Sequence, residues 1–177
     1  MTTHIALLRA VNLGGRTKVG MAELRELFAE LGFKDARTLL QSGNVVFSGK
    51  GGDLEAKIAR AIETQFGYAT DVMVRTAAEW DKIVKANPFP AEAKKDPSHL
   101  LVLALKDAPK KAAVEALRAT IKGPEQVEAK GKQLYAVYPA GIGRSKLTPN
   151  VIEAKLGTRG TGRNWNTVLK LAALAAE

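Results

Sequence analysis

The order in which two hydrophobic periods alternate constrains this chain more than any other feature. His4–Asn12 is an apolar run long enough for a buried strand, interrupted by Arg9. Met21, Leu24, Leu27, Phe28 and Leu31 then recur at helical spacing, and Gly32 supplies a stop. Arg37–Gln41 and Val45–Ser48 are short strand candidates around Ser42-Gly43-Asn44, where Gly and Asn accept positive φ, so the three residues turn a hairpin. Leu54, Ile58, Ala61, Ile62 and Phe66 put one apolar face on a second helix, and Val72 and Val74 alternate in a further strand, Asp71–Arg75. The order is β-α-β-β-α-β, which predicts an α+β, ferredoxin-like (α/β-plait) subdomain over residues 1–76.

Residues 77–98 read as a helix and a Pro-rich connection. Thr76 and Glu79 stand at capping-box spacing ahead of Trp80, Ile83 and Val84. Asn87-Pro-Phe-Pro90 ends that helix, because proline disfavours helix at the residue before it. Residues 99–177 then open on His99-Leu-Leu-Val-Leu-Ala-Leu, an echo of His4-Ile-Ala-Leu-Leu-Arg-Ala. A helix over Ala112–Ile121 follows, then a hairpin of Gln126–Ala129 and Gln133–Tyr138 around Lys130-Gly131-Lys132. Two helices are expected near Asn150–Leu156 and Trp165–Ala175. The second half is thus a βαββ subdomain extended by two C-terminal helices. It resembles the first but is incomplete, lacking the final strand, and the parallel points to duplication.

Composition narrows the chemistry. The 177 residues are 46% hydrophobic and 25% charged, which suits a folded chain with a real core. There is no cysteine, which excludes disulfides, thiolate metal sites and cysteine nucleophiles and fits a reducing cytoplasmic setting. No apolar run approaches the roughly 18 residues of a membrane span, and the first residues lack the basic start of a signal peptide. The net charge is +9 and uneven: residues 1–86 hold 12 Lys and Arg against 10 Asp and Glu, and residues 87–177 hold 15 against 8. A basic second half favours anionic partners, though a solvated basic surface serving solubility has the same composition.

Several stretches carry donors suited to anions. Asn12-Leu-Gly-Gly15 leaves the first strand, and Gly14 and Gly15 let backbone N–H groups approach a ligand, with Lys18 nearby; it also reads as a plain strand-to-helix turn. It has neither Walker nor dinucleotide-fingerprint spacing. Arg9 either reaches out at the strand end or faces a cleft with Asn12. Gln41, Ser42 and Asn44 could line an amide pocket or bond their own hairpin. Gly143-Arg144-Ser145-Lys146 is a basic loop with a hydroxyl. Gly162–Val168 is expected to start the last helix, presenting Arg163, Asn164, Asn166 and Thr167 where backbone donors are unpaired. Asn164 also fits a plain N-cap with Thr167 at the third helical position.

The ordered strings Ile5-Ala-Leu-Leu-Arg-Ala-Val-Asn-Leu-Gly-Gly15, Met21-Ala-Glu-Leu-Arg-Glu-Leu, Gln41-Ser-Gly-Asn-Val-Val-Phe47, Asn87-Pro-Phe89, Gly143-Arg-Ser-Lys-Leu147 and Arg163-Asn-Trp-Asn-Thr167 resemble the bacterial domain-of-unknown-function 1697 family. The resemblance implies two α/β-plait subdomains and no established activity. It departs at Gly162, where the family usually has a second threonine ahead of the arginine.

The predicted ligand is a small phosphate-bearing anion, such as a nucleotide, held in a basic cleft between the two halves, which requires Asn12–Lys18, Gly143–Lys146 and Gly162–Val168 to converge. RNA on an open sheet is a weaker expectation, since only Phe47 and Tyr135 are placed to stack. These loops hold no Asp, Glu, His or Cys, so proton transfer has little support and whether the protein is an enzyme stays open. Neither a metal site nor a cofactor is implied. A purely structural role for the loops stands as the remaining alternative.

Overall fold

The first apolar run becomes β1 (Thr2–Leu8), and the helical spacing after it becomes α1 (Met21–Glu30), which buries Leu24, Leu27 and Phe28. The predicted hairpin forms from β2 (Lys34–Leu39) and β3 (Asn44–Gly49). α2 (Leu54–Phe66) buries Leu54, Ile58 and Ile62, starts on the Asp53 cap and stops at Gly67, whose φ is 76°. β4 (Val72–Thr76) completes an antiparallel sheet of order β2-β3-β1-β4. In this computed structural model, which describes residues 1–9, 19–40 and 42–177, the chain divides into two units: Met1–Lys82 with Lys170–Glu177, and Ile83–Leu169.

One face of the first sheet, with Ala6, Leu8, Val45, Phe47 and Val72, packs on Leu24, Phe28, Ile58 and Ile62. Each such side chain contributes about 1.5–3 kcal/mol by leaving water. The opposite face is buried as well: Ile5, Val46 and Met73 are each 0% exposed. A face made by alternate residues explains why these strands read as continuous apolar runs rather than alternating ones.

α3 (Ala77–Lys85) begins with a formed capping box: Glu79 N–H donates to Thr76 Oγ1 at 3.1 Å, and Thr76 N–H donates to Glu79 Oε2 at 2.8 Å. The helix straddles the boundary between the units, and the final residues group with the first unit, where Arg37 pairs with Glu177 at 2.6 Å. The division by sequence at 76 and 98 therefore differs from the division of the units. The Pro-rich connection is not bare loop. It holds α4 (Pro90–Lys95) and a 3-10 turn, Pro97–His99.

The second unit contains β5 (Leu100–Leu105), α5 (Lys111–Thr120), β6 (Gln126–Lys130), β7 (Gln133–Val137) and α6 (Pro149–Leu156). It also contains the strand that sequence reasoning left out. β8 (Gly160–Asn164) pairs with β5 and completes a second antiparallel sheet of order β6-β7-β5-β8. The second subdomain is thus not an incomplete βαββ unit; it runs β-α-β-β-α-β like the first. Gly-Thr-Gly-Arg-Asn carries no apolar residue, so it has no period to read. Its glycines are instead demanded by the partner strand: a Cβ at Gly160 would lie 2.8 Å from Leu105 Cδ2 and 2.9 Å from Ala104 O. α7 (Trp165–Ala175) follows directly. The core of this unit joins Leu103, Leu105, Leu117, Leu134, Ala136 and Ile152.

Candidate functional site

The stretch Gly162–Val168 is not a helix start throughout. Gly162, Arg163 and Asn164 lie in β8, and the helix begins at Trp165. Asn164 Oδ1 accepts from Thr167 N–H at 3.0 Å, so this asparagine is the N-cap of α7. Asn166 is exposed in the first turn, whereas Thr167 is buried. Val102 pairs with Tyr135 on one side and with Arg163 on the other, so these three side chains share the sheet face opposite the Leu103–Leu134 core. Arg163 is 7% exposed and donates to Thr161 Oγ1 at 2.7 Å and to Gly162 O at 2.9 Å. Burial lowers its guanidinium to about 10, which leaves it charged at neutral pH. At Gly162 a Cβ would come 3.0 Å from Leu101 Cδ2.

The Gln41 hairpin bonds itself. Asn44 is fully buried, and its Nδ2 donates to Leu39 O at 2.8 Å and to Ser42 Oγ at 2.9 Å. Arg9 pairs with Asp71 at 3.6 Å just past β1. Asn12, Gly14, Gly15, Lys18 and Gln41 lie outside the described residues. Phe47 and Tyr135 are each 1% exposed, so neither offers a ring for a base to stack on. Phe47 packs on Phe28 and Phe33, and Tyr135 donates its hydroxyl to Ile83 O at 2.7 Å.

The basic loop has a different setting. Arg144 and Lys146 line a groove of about 360 Å3 in the second unit, together with Lys122 and Glu125 from the segment between α5 and β6. Ile121, Leu147 and Val151 supply apolar wall. Arg163 is not on this wall, so the two basic features of the second unit are separate places.

Several contacts hold the loop in shape. Tyr138 donates its hydroxyl to Leu147 O at 3.0 Å, and Gly141 turns the chain with a φ of 93°. Ser145 Oγ donates to Glu125 Oε1 at 2.6 Å while accepting from Leu147 N–H at 3.0 Å. Thr148 then caps α6 by accepting from Val151 N–H. The middle residue of the basic loop is therefore tied down, while Arg144 and Lys146 on either side of it are exposed. The Ser145 hydroxyl holds the Glu125 carboxyl below its ordinary range, so Glu125 is an anion at neutral pH and a weak base. Tyr138 is pushed up to about 12, first by burial and then by Glu125, which keeps its hydroxyl protonated. The groove can therefore hold charge but has little means of moving a proton.

Lys122 and Glu125 were not singled out from the sequence. Both sit in an unremarkable Lys-Gly-Pro-Glu segment, and the only signal was that a turn separates a helix from a strand there. Among the described residues no group of three or more His, Cys, Asp or Glu is placed to hold a metal ion. None of the helices described is long and apolar enough to cross a membrane.

Comparison with known proteins bears on the fold and the family. The conserved bacterial protein SP0830 from Streptococcus pneumoniae has a similar solved structure, with a TM-score of 0.74 at 20% identity, covering 100% of this chain and 99% of that one. At that identity the likeness speaks for the fold alone. No curated protein matches the chain. The model of the family described as protein of unknown function (DUF1697) matches residues 1–135, and the chain belongs to that family.

Proposed function

We propose that this protein binds a small phosphate-bearing ligand in the groove of its second unit. The supporting observation is the convergence of Lys122, Arg144 and Lys146 on one concave surface whose remaining wall is partly apolar. Cations from two separate chain segments suit a compact anion, and exposed cations on a groove attract it from solution. The groove is preformed by the Ser145, Leu147 and Tyr138 contacts, so little ordering entropy is spent on binding. We infer also that both units are ferredoxin-like plaits. The shared β-α-β-β-α-β order and the matching sheet orders support that reading.

Isothermal titration with inorganic phosphate, AMP and ADP tests the proposal. Binding is expected to weaken as salt rises, because exposed charges are screened. Arg144→Ala is expected to cost about three- to tenfold in affinity. Lys122→Glu combined with Arg144→Glu and Lys146→Glu should abolish binding. Unchanged binding by the triple variant, or none of the three ligands bound by the wild type, would overturn the reading.

A further inference from the structure

The groove contains a charge that a simple phosphate site would omit. Glu125 lines the same groove as the three cations. Its Oε1 is fixed by the Ser145 hydroxyl at 2.6 Å, and its Oε2 lies against Gly123, where a Cβ would fall only 2.5 Å away. Gly123 is also on the wall, so the carboxylate lies at the groove. A carboxylate so placed repels a plain dianion. It favours a ligand that brings a positive group to it.

Resting on the reading of the groove as a phosphate site, we infer that its ligand is a phosphomonoester with an apolar body and a separate ammonium group. Lys122, Arg144 and Lys146 take the phosphate, Ile121, Leu147 and Val151 take the body, and Glu125 takes the ammonium. Each end of the ligand then meets charge of opposite sign, and Glu125 acts as the residue that sets specificity.

Two probes with the same six-carbon chain separate the terms: 6-aminohexyl phosphate and hexyl phosphate, titrated against the wild type and against Glu125→Gln. The glutamine keeps an oxygen to accept from Ser145, so the loop contact is retained. Wild type is expected to prefer the amino probe by about threefold, the size usual for one exposed ion pair. In Glu125→Gln the preference should vanish, with hexyl phosphate bound more tightly than by the wild type. Equal binding of the two probes by the wild type, or a preference that survives in Glu125→Gln, overturns the inference while leaving the phosphate site standing. Failure of both probes to bind overturns the site itself.

Discussion

Arg75 and Arg163 hold the same place in the two units. Each is the last residue before the N-cap of a helix, Thr76 for α3 and Asn164 for α7, and each sits in the edge strand that closes its sheet. Each is buried, at 6% and 7% exposure, and each donates to the carbonyl of the residue before it. Their electrostatic settings differ. Arg75 has Glu55 at 3.6 Å, and although burial lowers its guanidinium, Glu55 and Glu79 pull it back up. For Arg163 burial lowers the guanidinium to about 10, and its hydrogen bonds include one to a hydroxyl and one to a carbonyl. The strand end thus places a buried cation in both halves, while the surrounding side chains decide how it is stabilised.

The pairing also corrects the apparent repeat. Ile5 pairs with Arg75 and Val102 pairs with Arg163, so Ile5 and Val102 are the matching positions. The sequence echo had aligned His4 with His99, two residues out of step. A shift of two keeps every side chain on its proper face, so the apolar pattern alone cannot detect it. His4 lies in β1, stacked on Phe47 at 5.3 Å, while His99 ends a 3-10 turn beside Asp96.

The largest losses of stability are expected at the two arginines. Arg163→Ala removes a buried charged hydrogen-bonding group and its packing, and should lower stability in urea unfolding by about 3 kcal/mol. Glu55→Gln, which leaves Arg75 buried with a weakened partner, should cost about 1.5 kcal/mol, since Glu55 is 29% exposed and its pairing is screened. If the second loss exceeded the first, ion pairing rather than burial geometry would dominate these positions.

The caps come next. Asn164→Ala and Thr76→Ala should each cost about 1 kcal/mol, measured in the same way. An Asn164→Ala variant of wild-type stability would mean that the α7 start draws nothing from its cap, and the equivalence with Thr76 would fail.

The smallest effect concerns Glu125, a carboxylate of the groove. The folded pKa of Glu125 is depressed, chiefly by the Ser145 hydroxyl. The stability this bond contributes is therefore present above the unfolded pKa and is lost as pH falls through the folded one. A carbon-13 titration of the Glu125 carboxyl should show a midpoint below the ordinary range in the wild type and a rise toward it in Ser145→Ala. An unchanged midpoint would remove the bond as the cause.

Much of the first unit was legible because its signals are local. Phe28 and Ile58 fall on apolar stripes with helical period, Gly32 follows its helix at φ 85°, and Thr76 with Glu79 spells a capping box. The site was less legible. Arg144, Ser145 and Lys146 stood out as a donor-rich loop, but nothing near them in sequence announces Lys122 or the Ser145–Glu125 bond, made across 20 residues.

The sequence by itself determined most of the helices, where the hairpins turn, and that the second half is basic. These follow from backbone preference and side-chain period, which act over a few residues. Only the tertiary structure decided that Gly-Thr-Gly-Arg-Asn is a strand, that Arg163 is buried, and that a carboxylate sits in a groove of cations. Each depends on a partner far along the chain: β5 for the strand, its sheet face for the arginine, and the Ser145 hydroxyl for Glu125.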